Sequence, residues 1–142
     1  MKTLSTLFLL SILSINMACA QEMPKSASPE GASVYIISPA NGEVVSNPVT
    51  IKFGLKGMGI APAGIEYPES GHHHLLINVD QLASTDTPIP SDDNHRHFGK
   101  GQTEVTLDLP EGTHTLQLVL GDQFHIPHNP PVMSEKVTVV VK

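Results

Sequence analysis

Apolar residues recur at every second position in several separate stretches of this chain, and this alternation restricts the fold more than any other feature. Between residues 49 and 56, Val, Ile, Phe and Leu alternate with Thr, Lys, Gly and Lys. The same alternation occupies residues 104–109, 115–120 and 137–141. It is typical of β-strands with one buried face, and no stretch of the chain sustains the period of an amphipathic helix. The sequence therefore predicts an all-β fold.

Turn-forming residues separate the predicted strands. The chain contains 12 Pro and 11 Gly, and most of them lie between the alternating stretches, as in Ser38-Pro-Ala-Asn-Gly42. Shorter strands are predicted at residues 34–37 and 44–45, and a central strand runs through Leu75 and Ile77. About seven short strands joined by such turns predict an antiparallel immunoglobulin-like β-sandwich. The prediction concerns architecture alone, because the chain lacks the Cys-Trp-Cys signature of antibody domains.

Composition divides the chain into three parts. Residues 1–20 have the features of a secretory signal peptide, with an apolar stretch followed by the cleavage pattern Ala18-Cys19-Ala20. Residues 21–32 are polar and contain Pro without periodicity, which predicts a flexible linker. Residues 33–142 form the predicted His-rich β-sandwich domain. We therefore expect an exported protein, periplasmic or secreted, without a membrane span; a lipid anchor at Cys19 is the alternative to cleavage after Ala20.

Charge and cysteine content exclude several classes of function. The formal net charge is −6 and the pI is about 5.7, so no basic surface is available for nucleic acid. Cys19 is the only cysteine, and it lies in the predicted signal segment. A mature chain without a thiol excludes Cys nucleophiles, thiolate zinc sites and redox dithiols.

Histidine is the residue type on which the functional prediction depends. The chain has eight His residues, of which seven fall in the groups 72–74, 95–97 and 125–128, while His114 stands apart. Imidazole is a common protein ligand for transition metals, and two imidazoles one or two residues apart can chelate one ion. The three groups therefore predict a metal site, provided that the fold brings them together.

Strand parity divides the His triplet between two faces. His73 shares its face with Leu75 and Ile77, so it is expected to be a core imidazole that hydrogen-bonds to backbone or to a carboxylate. His114 is in phase with the leucines that follow it, and the same expectation applies. His72 and His74 point together to the opposite face, within reach of one ion.

The other two groups supply the remaining predicted donors. His95 and His97 have the same spacing as His72 and His74 if this segment is extended. The segment 122–131, which holds the third group, contains three prolines, and such stiffness lowers the entropy lost on fixing a ligand geometry. The predicted metal ligands are His72, His74, His95, His97, His125 and His128.

Copper is the expected metal, with zinc as the second choice. Imidazole donors without thiolate suit Cu(II), Zn(II) and Ni(II), and copper heads the affinity order for such donors. Because protons compete for the same nitrogens, we expect binding to weaken between about pH 7 and pH 5. Met58 and Met133 are expected to fill gaps in apolar packing, and the carboxylates of Asp122 and Glu104 to be solvated.

Three segments carry a resemblance to a known family. They are Gly71-His-His-His-Leu-Leu-Ile77, His97-Phe-Gly-Lys-Gly-Gln-Thr-Glu104 and His114-Thr-Leu-Gln-Leu-Val-Leu-Gly-Asp122. With the segments before them, they resemble a bacterial domain-of-unknown-function family of exported proteins with a Gly-His-His-His-Leu signature. The resemblance covers nearly all of residues 34–141. It implies that the His-rich segments belong to the domain, and it implies no activity.

Three functions compete at this point. The first is a periplasmic metal-binding protein, a carrier, buffer or tolerance protein for copper, whose partner is the metal ion. The second is a metal-free adhesion or assembly module that binds another envelope protein, since sandwich folds host many unrelated roles. The third is a cupin-like metalloenzyme, because His95-x-His97, Glu104 and His114 loosely echo the cupin metal motifs, although the spacings depart from them.

Overall fold

The computed structural model describes residues 24–142, and this part of the chain is built from strands and loops without a helix. The strands are β1 (Ser33–Ser38), β2 (Glu43–Val45), β3 (Val49–Lys56), β4 (Gly59–Ile60), β5 (Ser70–Ile77), β6 (His95–His97), β7 (Glu104–Leu107), β8 (Gly112–Gly121) and β9 (Val137–Val141). The predicted signal peptide, residues 1–20, and Cys19 lie outside the described residues. Nothing in residues 24–142 has the length and apolarity of a membrane-spanning helix.

The strands form two sheets, which confirms the predicted all-β sandwich. One sheet has the order β1-β3-β7, and the other has the order β2-β9-β8-β5-β4, with β6 also paired to β5. Most pairs are antiparallel, and the pairs β2–β9 and β4–β5 are parallel. The described residues contain more strands than the alternation predicted because β4 and β6, of two and three residues, are too short to show a period.

The main core lies between the sheets and consists of the alternating apolar residues. Val49, Ile51 and Phe53 of β3 face Leu116, Leu118 and Leu120 of β8 in one buried cluster, together with residues of β1, β5 and β9. Each fully buried aliphatic side chain contributes roughly 1.5–3 kcal/mol through removal of apolar surface from water. The period of two thus determines which face of each strand points inward.

Strand β5 is buried on both faces along its whole length. It pairs with β8 on one side, and with β4 and β6 on the other. One face points into the main core. The opposite face is covered by loops, since Leu76 and Val119 pack there against Leu82 and Ile89. The second face of β5 is therefore shielded from solvent rather than exposed.

Part of the segment predicted as a linker, residues 21–32, is attached to the domain. The backbone N–H of Asn129 donates to the carbonyl of Ser26 at 2.9 Å, and the N–H of Ser28 donates to the carbonyl of Asn129 at 3.1 Å. The hydroxyl of Ser28 donates to the carbonyl of Pro130 at 2.6 Å. Residues 26–28 thus pair with the loop that follows β8.

Candidate metal centre

Four histidine side chains from three separate segments converge on one point. One ligand nitrogen from each of His72, His74, His97 and His125 lies within 4.8 Å of the other three. Nε2 of His72 lies 3.1 Å from Nε2 of His74 and 3.1 Å from Nδ1 of His125. The ring centroid of His97 lies 4.7 Å from that of His125 and 5.0 Å from that of His72. We call this group the four-histidine cluster.

Strand β5 fixes the two inner members, His72 and His74. In the ladder with β8, His72 lies opposite Gly121, and His74 lies opposite Val119. Both side chains are buried, with 0% and 1% of their surface exposed. Gly121 leaves room for His74, because a Cβ at this position would lie 2.8 Å from Nε2 of His74. The inner pair therefore depends on a glycine in the neighbouring strand.

Strand β6 presents His97 from the other side of β5. His97 lies opposite His74 in the antiparallel ladder, so both side chains stand on the same face of the sheet. Its ring lies over Gly99, where a Cβ would be 2.3 Å from Cε1 of His97 and 3.1 Å from the Cβ of Ala63. His97 is exposed, so it forms the solvent side of the cluster.

The loop after β8 supplies the fourth member. His125 is half-buried and has a φ of 66°, in the left-handed region that residues with a Cβ seldom adopt. Its backbone N–H donates to the carbonyl of Asp122 at 2.9 Å, and its carbonyl accepts from the N–H of Ile89 at 2.8 Å. The backbone of the loop is thus held at His125 through both its N–H and its carbonyl.

Burial and the neighbouring rings lower the pKa values of His72, His74 and His97. Burial, followed by the neighbouring rings of His125 and His97, lowers the pKa of His72 to about 4, although the charge of Asp122 acts in the opposite direction. Burial, followed by the ring of His72, lowers the pKa of His74 to about 2. Burial and His125 also lower the pKa of His97. At neutral pH these rings therefore keep free lone pairs for a metal ion.

Two of the six predicted ligands lie outside the four-histidine cluster. Nδ1 of His95 lies 2.8 Å from the carboxylate of Asp92, which places this ring in a surface pair. His128 is buried, with Nε2 3.1 Å from the carbonyl oxygen of Ser70 and Nδ1 3.3 Å from that of Leu120. The ring of His128 therefore lies between the backbones of β5 and β8, and the structure brings neither His95 nor His128 to the other four histidines.

The two predicted core histidines have different surroundings. His114 is buried, and its Nε2 donates to the carbonyl of Pro110 at 2.8 Å while Nδ1 lies 2.9 Å from the side-chain amide of Asn78. His73 is buried with its ring centroid 5.1 Å from that of Phe53, but neither ring nitrogen has a hydrogen-bond partner. The predicted hydrogen bonds are confirmed for His114 and wrong for His73, whose two ring nitrogens are buried without a partner.

The other candidate donors stay away from the cluster. Glu104 is exposed at the start of β7, in the sheet that does not contain β5. Within residues 24–142, His95, Glu104 and His114 join no group of converging metal donors, so the structure does not assemble the cupin-like set. Met58 packs against the main core, and Met133 packs against the smaller one, as gap-filling residues do.

The surroundings of Asp122 differ from those that the sequence predicts. This carboxylate was expected to be solvated, but its residue has 0% of its surface exposed. It accepts hydrogen bonds from the N–H groups of Phe124 and Ile126 at 2.9 and 3.0 Å. An Asp whose side chain bonds to the N–H two residues later is a recognised turn signal, and that signal was available in the sequence.

Four imidazole nitrogens at these separations can hold one ion after small movements of the outer rings. A tetrahedral ion with bonds of about 2.0–2.1 Å keeps its donors about 3.3 Å apart, and a square-planar ion keeps opposite donors about 4 Å apart. The 3.1 Å separations at His72 are close to these values, and no separation in the cluster exceeds 4.8 Å. No carboxylate within residues 24–142 joins the group, so its donors are all imidazole.

Comparison with known proteins gives a family without an activity. The sequence profile described as "Domain of unknown function (DUF4399)" matches residues 51–142. The match begins in β3 and includes every member of the four-histidine cluster. No curated protein matches the chain significantly. The resemblance to a domain-of-unknown-function family is thereby confirmed.

Proposed function

Since the chain belongs to the DUF4399 family, whose description names no activity, we propose a function from the four-histidine cluster itself. The protein binds a divalent transition metal ion, with copper as the first candidate and zinc as the second. It acts as a carrier, buffer or tolerance protein for that ion in the exported compartment. The observation that carries the proposal is the convergence of four ring nitrogens within 4.8 Å.

The burial of His72 and His74 favours a role as metal ligands over a role as polar surface residues. His72 and His74 are almost completely removed from water, and their Nδ1 atoms have no hydrogen-bond partner. A buried polar group without a partner is unfavourable, and imidazoles this close repel each other when protonated. A metal ion bound through the Nε2 atoms leaves the Nδ1 atoms as they are, but it gives the two converging Nε2 atoms a common partner and opposes protonation of either ring.

The donor set supports copper. Four imidazoles without thiolate or carboxylate suit Cu(II), Zn(II) and Ni(II), and the general affinity order of such sites places copper highest. Imidazole also resists the oxidation that damages thiolates outside the cytoplasm. This agrees with the export that residues 1–20 predict.

The division of the cluster into two halves supports a role in metal exchange. The inner pair, His72 and His74, is held by the central strand and is buried. The outer pair, His97 and His125, lies on a three-residue strand and in a loop, on the solvent side. An incoming ligand can displace the outer pair first, while the inner pair retains the ion, as a carrier or buffer requires.

Metal analysis of untagged protein from the exported fraction of the native cells tests the proposal. We expect close to one equivalent of metal per chain, mainly copper, and loss of the metal in the double variant His72→Ala/His74→Ala. The variant His95→Ala is the matched control, since this ring lies outside the cluster, and it should retain the metal. Protein without metal, or a double variant that retains it, would support the metal-free envelope module instead.

A further inference from the structure

We propose that Asp122 is a positioning residue of the metal centre, whose buried carboxylate fixes the turn that presents His125 to His72. The inference rests on the proposed metal binding and goes beyond it, because Asp122 itself is not a member of the four-histidine cluster. It assigns a buried acidic side chain that the ligand set does not use.

Asp122 forms hydrogen bonds with His125 and with the residues on either side of it in the chain. One carboxylate oxygen, Oδ1, accepts from the N–H of Phe124 at 2.9 Å and from the N–H of Ile126 at 3.0 Å. The backbone N–H of Asp122 donates to the carbonyl of Ile126 at 2.9 Å, and its carbonyl accepts from the N–H of His125 at 2.9 Å. The residues before, at and after the ligand are therefore all bonded to Asp122.

This anchoring explains the backbone conformation of His125. A φ of 66° is unfavourable for a residue with a Cβ, and such conformations persist only where surrounding contacts enforce them. With this conformation, Nδ1 of His125 lies 3.1 Å from Nε2 of His72. Hydrogen bonds to a charged acceptor are stronger than neutral ones, which makes a buried carboxylate an effective anchor for the turn.

The second carboxylate oxygen extends the anchor to the N-terminal segment. Oδ2 of Asp122 accepts from the hydroxyl of Ser26 at 3.0 Å. The carbonyl of Ser26 accepts from the N–H of Asn129, later in the same loop, at 2.9 Å. Three donors thus satisfy the buried carboxylate of Asp122, and the loop that carries His125 is bonded to both Asp122 and Ser26.

Two substitutions separate the hydrogen bonds of Asp122 from its charge. In Asp122→Asn, Oδ1 still accepts from the N–H groups of Phe124 and Ile126, and the amide can donate to Ser26. In Asp122→Ala, the hydrogen bonds and the charge are both lost. The affinity difference between the two variants therefore reports the hydrogen bonds alone.

The test is a double-mutant cycle for Cu(II) affinity. Asp122→Ala should bind about 10–100-fold more weakly than Asp122→Asn while His125 is present. In chains that also carry His125→Ala, the two variants should agree within about twofold, because the residue that Asp122 positions is gone. A difference of equal size in both backgrounds, or none in either, would overturn the proposal.

The number of imidazoles coordinated to copper gives a second readout, which a loss of stability alone does not change. Pulsed electron paramagnetic resonance of the Cu(II) protein should show one coordinated imidazole fewer in Asp122→Ala and no change in Asp122→Asn. An unchanged count in Asp122→Ala would contradict the positioning role. Failure of the wild-type chain to bind copper or zinc would refute the proposed function itself. This result is distinct from an unchanged count in Asp122→Ala, which refutes only the positioning role.

The wild-type chain offers a test that needs no folded variant. If the Asp122 turn and the ligand role of His125 are coupled, binding of diamagnetic Zn²⁺ should slow hydrogen exchange at the N–H groups of Phe124 and Ile126. We expect a slowing of at least about tenfold, because a bound ligand opposes local opening. Unchanged exchange in a chain shown to bind Zn²⁺ would overturn the inference, even if Asp122→Ala does not fold.

Discussion

Histidine side chains on the two faces of strand β5 lie in different surroundings. His73 points into the main core, where its ring lies 5.1 Å from that of Phe53 and neither nitrogen is bonded. His72 and His74 point to the other face, where their Nε2 atoms are 3.1 Å apart and approach two further imidazoles. All three rings are buried, and burial is the main cause that lowers each pKa.

The difference shows that burial of a histidine does not by itself indicate a site. His73 has no partner on its own face, so its polar atoms only oppose folding. His72 and His74 are equally buried, but their nitrogens converge with those of His97 and His125. Convergence of ring nitrogens from distant segments is therefore the feature that distinguishes the candidate site, and the predictions below test that distinction.

The largest effect is expected from the inner pair of ligands. His72→Ala or His74→Ala should lower Cu(II) affinity by at least about 1000-fold, because each removes a ligand that the central strand holds in place. Competition titration against a chelator of known affinity measures the loss. His95→Ala, a histidine outside the cluster, should bind as the wild type does; equal losses in all three variants would contradict the account.

Acid should destabilise the metal-free protein. Burial lowers the pKa of His72 and of His73 to about 4, below the ordinary value of 6.5 that applies to the unfolded chain. Between these values the unfolded chain binds more protons, so the free energy of unfolding is highest above pH 6.5 and decreases as pH falls toward 4. The loss should reach several kcal/mol, at about 1.4 kcal/mol per pKa unit for each ring.

Denaturant titrations at a series of pH values measure that loss. His73→Leu should reduce the pH dependence, since one of the depressed groups is removed. The lowered pKa values of the inner pair should also move the proposed metal release to more acidic conditions than the interval of about pH 7 to pH 5 that an ordinary imidazole predicts. Stability that is constant from pH 6.5 to pH 4 would contradict the burial of neutral rings.

The outer ligands should show a smaller effect. His97→Ala should lower Cu(II) affinity about 10–100-fold, because an exposed ligand on a short strand is held less firmly. Gly99→Ala should lower affinity in the same direction, since its Cβ would lie 2.3 Å from Cε1 of His97 and would displace the ring. Isothermal titration calorimetry measures both variants.

A matched glycine variant controls for this effect. A Cβ at Gly59 would meet its nearest neighbour, the Cβ of Ser70, at an ordinary distance of 3.9 Å. Gly59→Ala should therefore bind copper as the wild type does. Normal copper binding by Gly99→Ala, together with weakened binding by His97→Ala, would contradict the placement of the His97 ring over Gly99.

The smallest effect on binding is expected at the core face of β5. His73→Leu should leave Cu(II) affinity within about twofold of wild type and raise the free energy of unfolding by about 1–2 kcal/mol, since two unbonded buried nitrogens are removed. Thermal and denaturant unfolding of the metal-free chain measure the gain. A loss of copper affinity in this variant would show that the two faces are coupled.

Much of the fold follows from the sequence because strand parity is a local property. The alternation at residues 49–56 and 115–120 correctly predicts the inward faces of β3 and β8. Parity also places His73 apart from His72 and His74, as the structure has it. Strand β4 was missed because its two residues, Gly59 and Ile60, are too few to show a pattern.

The composition of the site depends on distances that local patterns do not contain. Nothing in the spacing of His95 and His97 shows that only His97 reaches the point where His72 and His74 meet. The turn at Asp122 determines which histidine of its loop faces the cluster, and His128 instead bonds to backbone between β5 and β8. These outcomes follow from tertiary pairing, so the sequence alone predicts six ligands where the fold groups four.

X-ray absorption spectroscopy at the copper edge tests the central claim most directly, because it counts the ligands of the bound ion. With one equivalent of Cu(II), the account predicts four imidazole nitrogens at about 2.0 Å. The double variant His72→Ala/His74→Ala should lose this signature. A copper ion held by two or fewer imidazoles in the wild-type chain, or a signature that survives in the double variant, would contradict the four-histidine cluster as the metal centre.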